Sequence, residues 1–340
     1  MSAVGTHRSR LGLRILFFVI VNVAVVLMSF TLGRFSVSIS ELLSYLWDTT
    51  FGGGWQGDSQ IEHVIARIRM PRILAAVLIG AALSVAGAAY QSLFRNPLVS
   101  PDVLGASGGA GFGASLAILM GFGAFGMQTM AFGFSVVAVF VAYTISRLTQ
   151  RDQILALVLG GIIVSAVFSS GTSILKVLAD PNSELPAITF WLMGGLNGVR
   201  AVDLMPLAIP IILCTGILWP LRWQLDTVTF GDDTAIALGV NVRLVRVIVI
   251  VCATLLTAVS VAVGGVIGWV GLIIPHLARM AFGPEHRALI PLSALIGSAF
   301  LVVVDTIART LLTAEIPLGI LTALIGAPFL AYLLMRNASW

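Results

Sequence analysis

The chain has 340 residues, of which 58% are hydrophobic and only 10% are charged. Soluble domains carry about 25% charged residues, so this composition excludes an ordinary soluble domain. The net charge of +4 does not indicate nucleic-acid binding, because the basic residues are scattered singly at the ends of apolar segments. Cys214 and Cys252 both lie within apolar runs, which argues against a disulfide framework and against a structural metal site.

Apolar runs long enough to cross a membrane follow one another along almost the whole chain. A spanning helix needs about 20 apolar residues. Glycine, at 35 residues, is as abundant as expected where membrane helices pack through small residues. The sequence therefore predicts a single all-α integral membrane domain over residues 1–340 with about ten transmembrane helices. The expected spans are 15–33, 73–93, 103–121, 124–146, 154–178, 203–221, 244–263, 266–281, 289–308 and 319–336.

The connections between these spans predict the orientation of the chain. The first run is longer than the apolar part of a signal peptide and no cleavage site follows it, so it is expected to remain as a helix. Basic residues are more frequent on the side of the two termini, which predicts cytoplasmic N- and C-termini. Residues 1–14 then form a cytoplasmic segment, residues 34–72 an external loop with an amphipathic stretch at 37–47, and residues 222–243 a cytoplasmic loop.

The cytoplasmic loop has the pattern of two short helices separated by Gly231. Asp232 is the expected N-cap of the second helix and Gly239 its expected C-terminal stop. A helical pair between two spans has a shape that can press into a groove of another protein. The spacing by itself fits an ordinary ordered loop somewhat better.

Glycines and prolines shape the segment around the third span. Gly105, Gly109 and Gly113 follow at intervals of four and predict a smooth helical ridge for close packing, with a backbone-lined substrate path as the alternative. Before them, Asn96, Pro97 and Pro101 predict a shaped turn, since proline forbids a continuous helix. Asp102 is expected to cap the third helix.

Ionisable residues within apolar spans are candidates for function. Pro275 and His276 fall near the inner end of the eighth span; His276 could relay protons, but a helix-terminal histidine bonded to backbone is the favoured interpretation. Asp305 and Arg309 lie four apart on one helical face, which predicts an ion pair. The outer turn that contains Pro317 follows them.

Arginines at predicted outer helix ends admit two interpretations. Arg69 and Arg72 flank a proline at the start of the second span, and Arg309 lies near the end of the ninth. They could anchor helix ends among lipid headgroups. They could equally offer guanidinium groups to the carboxylates of a docking protein. The spacing of these arginines along the chain does not distinguish the two interpretations.

Several motifs and residue types that are missing from the sequence narrow the functional class of the protein. The only lysine is Lys176 and no glycine-rich run ends in Gly-Lys-Ser or Gly-Lys-Thr, so the chain carries no P-loop. It also lacks zinc-protease and serine-hydrolase motifs. Acids in the middle of the spans, which ion-coupled carriers usually need, are nearly missing. These features predict a transport protein that is not an enzyme and that depends on a partner for energy.

A series of local motifs runs from about residue 60 to the C-terminus. They are Arg69-Met70-Pro71-Arg72-Ile73-Leu74-Ala75, Gly80-Ala81-Ala82-Leu83, Gly87, Gln91, Arg95-Asn96-Pro97-Leu98, Pro101-Asp102-Val103-Leu104-Gly105, Phe190-Trp191-Leu192-Met193-Gly194, Ala237-Leu238-Gly239-Val240, Gly271-Leu272-Ile273-Ile274-Pro275-His276 with Arg279, His286-Arg287, Asp305, Arg309, Glu315-Ile316-Pro317-Leu318-Gly319 and Gly326-Ala327-Pro328-Phe329. In this order the motifs resemble those of the FecCD family, the permeases of iron-siderophore, haem and cobalamin ABC importers.

The resemblance implies a type II ABC importer permease fold in the bacterial cytoplasmic (inner) membrane. The implied partners are a second permease, identical or paralogous, two ATPase subunits, a periplasmic or lipoprotein substrate-binding protein and membrane lipid. No cofactor would be bound by this chain, because ATP and Mg belong to the ATPase. The binding protein would dock on Arg69, Arg72 and Arg309. ATPase coupling would use Thr229, Gly231, Asp232, Asp233, Ala237, Leu238, Gly239 and Val240.

The expected activity is import by alternating access, in which ATP-driven closure of the ATPases moves the cytoplasmic helical pair. Ferric siderophore is the expected substrate on family frequency, with haem, cobalamin or molybdate and tungstate as alternatives. An ion-coupled secondary carrier is the distant alternative, and it would need buried acids. Structural or gating roles are expected for Asn96, Pro97, Pro101, Gly105, Gly109, Pro275, His276, Asp305 and Pro317.

Overall fold

The computed structural model describes residues 2–33, 35–52, 54–55, 57–149 and 153–336, and these are helical with no strand among them. The helices are α1 (Ser2–Thr31), α2 (Ile39–Thr50), α3 (Ser59–Glu62), a π-helical segment (His63–Arg69), α4 (Met70–Leu93), α5 (Ala106–Leu119), α6 (Ala124–Leu148), α7 (Gln153–Leu178), α8 (Glu184–Met193), α9 (Ala201–Leu218), α10 (Arg222–Thr229), α11 (Asp232–Ala237), α12 (Val242–Gly264), α13 (Val270–Phe282), α14 (His286–Thr310) and α15 (Leu318–Arg336).

A few residues of the predicted loops lie outside the described part of the chain. They are Met1 of the predicted cytoplasmic segment and Arg34, Gly53 and Gln56 of the predicted external loop. The rest of that external loop is largely helical: α2 covers most of the predicted amphipathic stretch, and α3 begins within the loop.

Ten apolar helices coincide with the ten predicted spans. Seven helical segments are long and apolar enough to cross a membrane: Leu11–Thr31, Ser59–Leu93, Ala124–Leu148, Gln153–Leu178, Ala201–Leu218, Val242–Gly264 and His286–Thr310. The other three are shorter: Ala106–Leu119, Val270–Phe282 and Leu318–Tyr332. The all-α fold is confirmed, whereas the number of helices that cross and the side on which the termini lie stay predictions.

Three predicted boundaries were wrong, each for a local backbone reason. The second span was expected to start at residue 73, yet the helical segment begins at Ser59. The added residues include a π-helical segment that leads into α4 just before Pro71, whose nitrogen has no N–H to donate. The third helix starts after Gly105, which is left-handed at φ +84°. The eighth starts at Val270 because Gly265 and Trp269 both have positive φ.

Helix α4 is the centre of the bundle. Nearly every residue from Pro71 to Leu93 is buried, and α9, α12, α13 and α14 all pack against it. Small residues permit this contact: a β-carbon added at Gly80 would lie 2.2 Å from the carbonyl oxygen of Gly297 on α14. At Gly87 it would lie 1.7 Å from the carbonyl oxygen of Gly271 on α13. Outer helices instead expose large apolar side chains, as expected for surfaces that face lipid.

We predict that Gly87→Ala destabilises the protein by about 1–3 kcal/mol, because the added methyl group forces α4 and α13 apart. Unfolding of the purified protein in mixed micelles, followed by circular dichroism over an SDS titration, measures this effect. Gly133→Ala on α6 is the matched control, since no atom lies within 4 Å of its added β-carbon. Equal stability of the two variants would contradict the close packing of α4 on α13.

Candidate coupling site and transport path

Residues 222–243, the loop predicted to be cytoplasmic, contain a pair of short helices, α10 and α11. Gly231, at φ +118°, separates them as predicted, and Gly239, at φ +81°, follows the end of α11. Helix α10 begins at Arg222, the first residue of the predicted loop. One detail differs from the sequence prediction: the N-cap of α11 is Gly231 rather than Asp232. Asp232 is the first residue of α11, so its carboxylate is available for ion pairs.

The helical pair has a buried face and an exposed apolar face. Leu225, Val228 and Ala235 are fully buried against the bundle. Phe230, Ile236 and Leu238 are exposed and form an apolar surface that the described part of the chain does not cover. Of the predicted coupling residues, Thr229, Asp233, Ala237, Leu238 and Gly239 are also exposed, whereas Val240 is buried. A pair of this shape fits a groove on a partner protein.

Helix α10 is bonded to the ends of two central helices through His286. The Asp226 carboxylate accepts a hydrogen bond from the backbone N–H of His286 at 2.9 Å, and its Oδ1 lies 2.5 Å from the His286 Nδ1. The other ring nitrogen of His286 contacts the Ser92 hydroxyl in the last turn of α4. One buried imidazole thus joins α10, α14 and α4.

Helix α11 is bonded to the bundle through Asp232. Its carboxylate pairs with Arg246 of α12, at 2.9 Å from Nη2, and with Arg95 in the turn after α4. Arg95 also donates from Nε to the carbonyl of Val228 at 2.9 Å, and Arg246 donates to Gln153 at the start of α7 at 2.8 Å. The α10–α11 pair is therefore held to the bundle by several hydrogen bonds and ion pairs.

The turn between α4 and α5 has the predicted shape. The Asn96 side chain accepts a hydrogen bond from the Leu98 N–H at 2.9 Å, within a turn that contains Pro97. Asp102 accepts from the Ser107 N–H at 2.6 Å, which satisfies a free amide of the first turn of α5 as the sequence predicted. Pro101 is buried, and a β-carbon added at Gly271 would lie 2.2 Å from its Cγ.

The predicted glycine ridge is shorter than expected. Gly109 and Gly113 lie on α5, and added β-carbons would lie 2.3 Å and 2.4 Å from carbonyl oxygens of Phe134 and Met130 on α6. Gly105 precedes the helix in a left-handed conformation and lies near Ser165 of α7, so it does not belong to the ridge. These contacts place the ridge at a close helix–helix interface.

A cavity of about 690 Å³ lies between the Asn96 turn, α10 and α13. His276 is buried and lines this cavity. The histidine lies in the middle of α13, beside Pro275, and not at the helix end that the sequence suggested. Arg279 also lines the cavity and donates to the Gln91 side chain at 2.9 Å.

A second cluster of charges lies at the other end of the bundle. Arg72 Nε is 2.9 Å from Asp305, and Arg72 Nη1 is 3.0 Å from Glu315. The sequence predicted the pair Asp305–Arg309, but that contact is the longer one at 3.7 Å. Arg72 is the closer partner because α4 and α14 lie side by side, a proximity that spacing along one helix cannot reveal.

The three arginines predicted to dock a binding protein are all buried in this structure. Arg69 donates to the carbonyls of Phe30 and Phe35, and Arg309 donates to the carbonyl of Leu32 at 2.7 Å. Arg72 is engaged by the two carboxylates described above. Their contacts tie together α1, α4, α14 and the turn before α15; a docking role stays a prediction.

Two further cavities lie within the bundle. The first, about 400 Å³, is called the outer cavity because it lies at the end predicted to be external; it is bordered by Arg72, Glu315 and Pro317 and otherwise mainly by apolar and small residues of α6, α8 and α12. The deeper one, about 280 Å³, includes Asp102 and Trp269. No cluster of potential metal ligands occurs among the described residues.

Comparison with known proteins identifies the class. The profile of the FecCD transport family matches residues 20–336. The chain is 40% identical over 310 residues to the molybdate import system permease protein MolB of Haemophilus influenzae, covering 91% of each chain. It is 36% identical over 329 residues to the hemin transport system permease protein HmuU of Yersinia pestis, covering 94% of this chain and 95% of HmuU.

A solved structure supports the same class. It is described as a metal-chelate type ABC transporter in an inward-facing conformation, with a TM-score of 0.85 and 37% identity over 95% of this chain and 98% of that chain. The protein belongs to the FecCD transport family of ABC transporter permeases. It is a multi-pass protein of the bacterial inner membrane, as predicted.

The sequence alone did not reveal the partners of Asp226, Asp232 and Asp305. These partners lie on other helices or, for Arg95, in a turn, and Arg72 and Asp305 are 233 positions apart. One signal was available: a charged residue at the end of an apolar span must find a partner inside the protein, because lipid offers none. That rule indicates the need for a partner but does not say which residue provides it.

We predict that Asp305→Ala destabilises the protein by about 3–5 kcal/mol, because it leaves the Arg72 guanidinium buried with one carboxylate fewer. SDS-induced unfolding in mixed micelles measures the loss. The double variant Arg72→Met/Asp305→Leu is the control, and it is expected to recover most of the stability by replacing the pair with packed apolar side chains. A double variant that loses more than the single one would contradict this account.

Proposed function

We propose that this chain is the transmembrane subunit of an importer that moves a metal chelate into the cytoplasm by alternating access. It pairs with a second permease and binds two ATPase subunits, which hold the ATP and Mg. A periplasmic or lipoprotein binding protein delivers the substrate at the outer end. The observation that carries the proposal is the α10–α11 pair, which offers an exposed apolar surface and forms ion pairs or hydrogen bonds with α12, α14 and the turn after α4.

The exposed residues of that pair are the proposed ATPase contact. Phe230, Ile236 and Leu238 form its apolar part. Asp233 and Thr229 lie beside them on the exposed surface. Ala237 is exposed as well. Of the other predicted coupling residues, Asp232 forms ion pairs with the bundle, Val240 is buried, and Gly231 and Gly239 shape the turns.

Motion of α10 has a direct physical route across the bundle. At the inner end, His286 joins α10 to α14 and to the last turn of α4. In the middle, Gly80 and Gly297 hold α4 and α14 in close contact. At the outer end, Arg72 joins the two helices again and also binds Glu315, which borders the outer cavity. We infer that α4 and α14 move as one body during transport.

The lining of the outer cavity favours a substrate with an organic surface. Phe190, Trp191 and Met127 contribute large apolar side chains. Its one arginine, Arg72, is neutralised by two carboxylates. A ferric siderophore presents an organic shell around the metal and suits such a lining. Docking of the binding protein near Arg69, Arg72 and Arg309 remains part of the proposal, and it would require exchange of their present internal partners.

Molybdate is the second candidate substrate. A relative named as a molybdate import permease is 40% identical to this chain over 91% of its length. Gln128 and Asn197 line the outer cavity and can donate hydrogen bonds to an oxyanion. The two candidates differ in size and in hydrogen bonding, so one assay separates them.

The decisive experiment is ATP-dependent uptake into proteoliposomes that contain this chain and its co-purifying ATPase. Binding proteins loaded with radiolabelled ferric siderophore, haem, cobalamin or molybdate are offered in turn. Uptake of the siderophore supports the proposal, and uptake of molybdate alone replaces it with the second candidate. Uptake that follows an ion gradient without ATP would contradict the ABC importer mechanism.

We predict that Asp226→Asn lowers the amount of substrate moved per ATP by about tenfold, because a charge-assisted hydrogen bond to His286 contributes about 1.5 kcal/mol. The exposed apolar surface of α10 and α11 stays intact, so the ATPase is expected to remain bound and active. Uptake and ATP hydrolysis measured in the same vesicles give the ratio.

The control is Asp180→Asn, the same change at an exposed position in the turn before α8. It is expected to leave the ratio unchanged. Loss of the bound ATPase in Asp226→Asn would show that Asp226 supports the docking surface itself. An unchanged ratio would contradict the role of the His286 contact in transmission.

A further inference from the structure

Helix α2 carries a row of large apolar side chains that the described part of the chain leaves uncovered. Ile39, Leu43 and Trp47, spaced by four, are 67%, 53% and 65% exposed, and Phe51 extends the row at 74%. The rings of Trp47 and Phe51 lie 5.0 Å apart. We call these four residues the α2 stripe.

The stripe is separate from the face that α2 presents to the protein core. Leu42 and Tyr45 are buried, and the Tyr45 ring packs 5.7 Å from the ring of Trp55. At about 100° per residue, these buried residues fall on one side of the stripe and the polar residues Ser44 and Asp48 fall on the other. The apolar surface of α2 therefore extends beyond the part that packs against the rest of the protein.

The position of α2 in the bundle is fixed by the buried arginines. Arg69 donates to the carbonyl of Phe35 just before α2, as well as to that of Phe30 near the end of α1. Arg309 donates to Leu32 in the same connection. Helix α2 thus begins beside the end of a spanning helix, at the depth where charged groups replace apolar ones.

The stripe continues the exposed apolar surface of α1, a helix long and apolar enough to span a membrane. On the last turns of α1, Met28 is 61% exposed, and Leu32 and Phe35 extend that surface into the connection. The stripe follows directly along the chain and contains no charged residue. Tryptophan is enriched where membrane meets water, because its ring is amphipathic.

We propose that α2 is an interfacial helix whose stripe lies in the outer leaflet of the membrane, among the headgroups and upper acyl chains. The occupant of the stripe is lipid. The polar arc of the helix faces water and its buried arc faces the bundle, which is the arrangement of an amphipathic helix lying parallel to the membrane plane. This proposal does not depend on the transported substrate.

Spin labels on the full chain in phosphatidylcholine–phosphatidylglycerol liposomes test the proposal. Leu43→Cys and Trp47→Cys are labelled one at a time, with Cys214 and Cys252 replaced by alanine. Ser44→Cys is the matched control on the polar arc. Lipid contact is expected to raise the ratio of collisions with oxygen to collisions with a water-soluble nickel chelate at least about threefold over the control.

Two results would overturn the proposal. Equal ratios at the three positions would place the stripe in water. Low collision rates with both reagents at Leu43→Cys and Trp47→Cys would show that protein covers the stripe, either a second copy or the binding protein. Quenching of the unlabelled protein by brominated lipids, compared with Trp47→Phe, gives an independent measurement. Other exposed tryptophans such as Trp219 and Trp223 contribute to quenching in both proteins. A quenched component as large in Trp47→Phe as in the unchanged protein counts against lipid at this residue.

Discussion

The contact between α4 and α14 is the constraint on which the rest of the structure depends. The two helices are joined at one end by Ser92 and His286, and at the other by Arg72 and Asp305. Between these ends, glycines remove the side chains that would hold the helices apart. A buried charge without a partner is costly, so the Arg72–Asp305 contact depends on both residues. The α4–α14 pair therefore connects α10 to the outer cavity.

Close packing and motion have to coexist in a transporter. The interfaces of α4 are tight because backbone atoms approach one another at Gly80 and Gly87, and such interfaces shift as units rather than deform. Irregular backbone is tolerated where neighbouring protein or a cavity satisfies its N–H and C=O groups. The segment between α12 and α13, which contains Gly265 and Trp269, is such a place. These non-helical segments are the places where rigid helices can change their relative orientation.

The two polar clusters have different environments and different consequences. The inner cluster joins Asp226 and Asp232 to helix ends next to an exposed apolar surface, so a partner protein can act on it. The outer cluster holds its arginines in buried contacts with the chain's own carboxylates and carbonyls. These contacts hold the start of α4 next to the connection between α1 and α2. They also leave the outer cavity with a mainly apolar lining.

The sequence by itself determined the fold class, the positions of the ten apolar helices and the helical pair broken at Gly231, because a backbone in lipid must satisfy its hydrogen bonds within each helix. The family followed from sequence motifs, each of which is local in the chain. The tertiary structure alone decided that Arg72 is the close partner of Asp305, that His286 links α10 to α4 and α14, and that Gly105 stands outside the α5 ridge. Such contacts depend on which helices lie side by side, and hydropathy and spacing carry no information about distant partners.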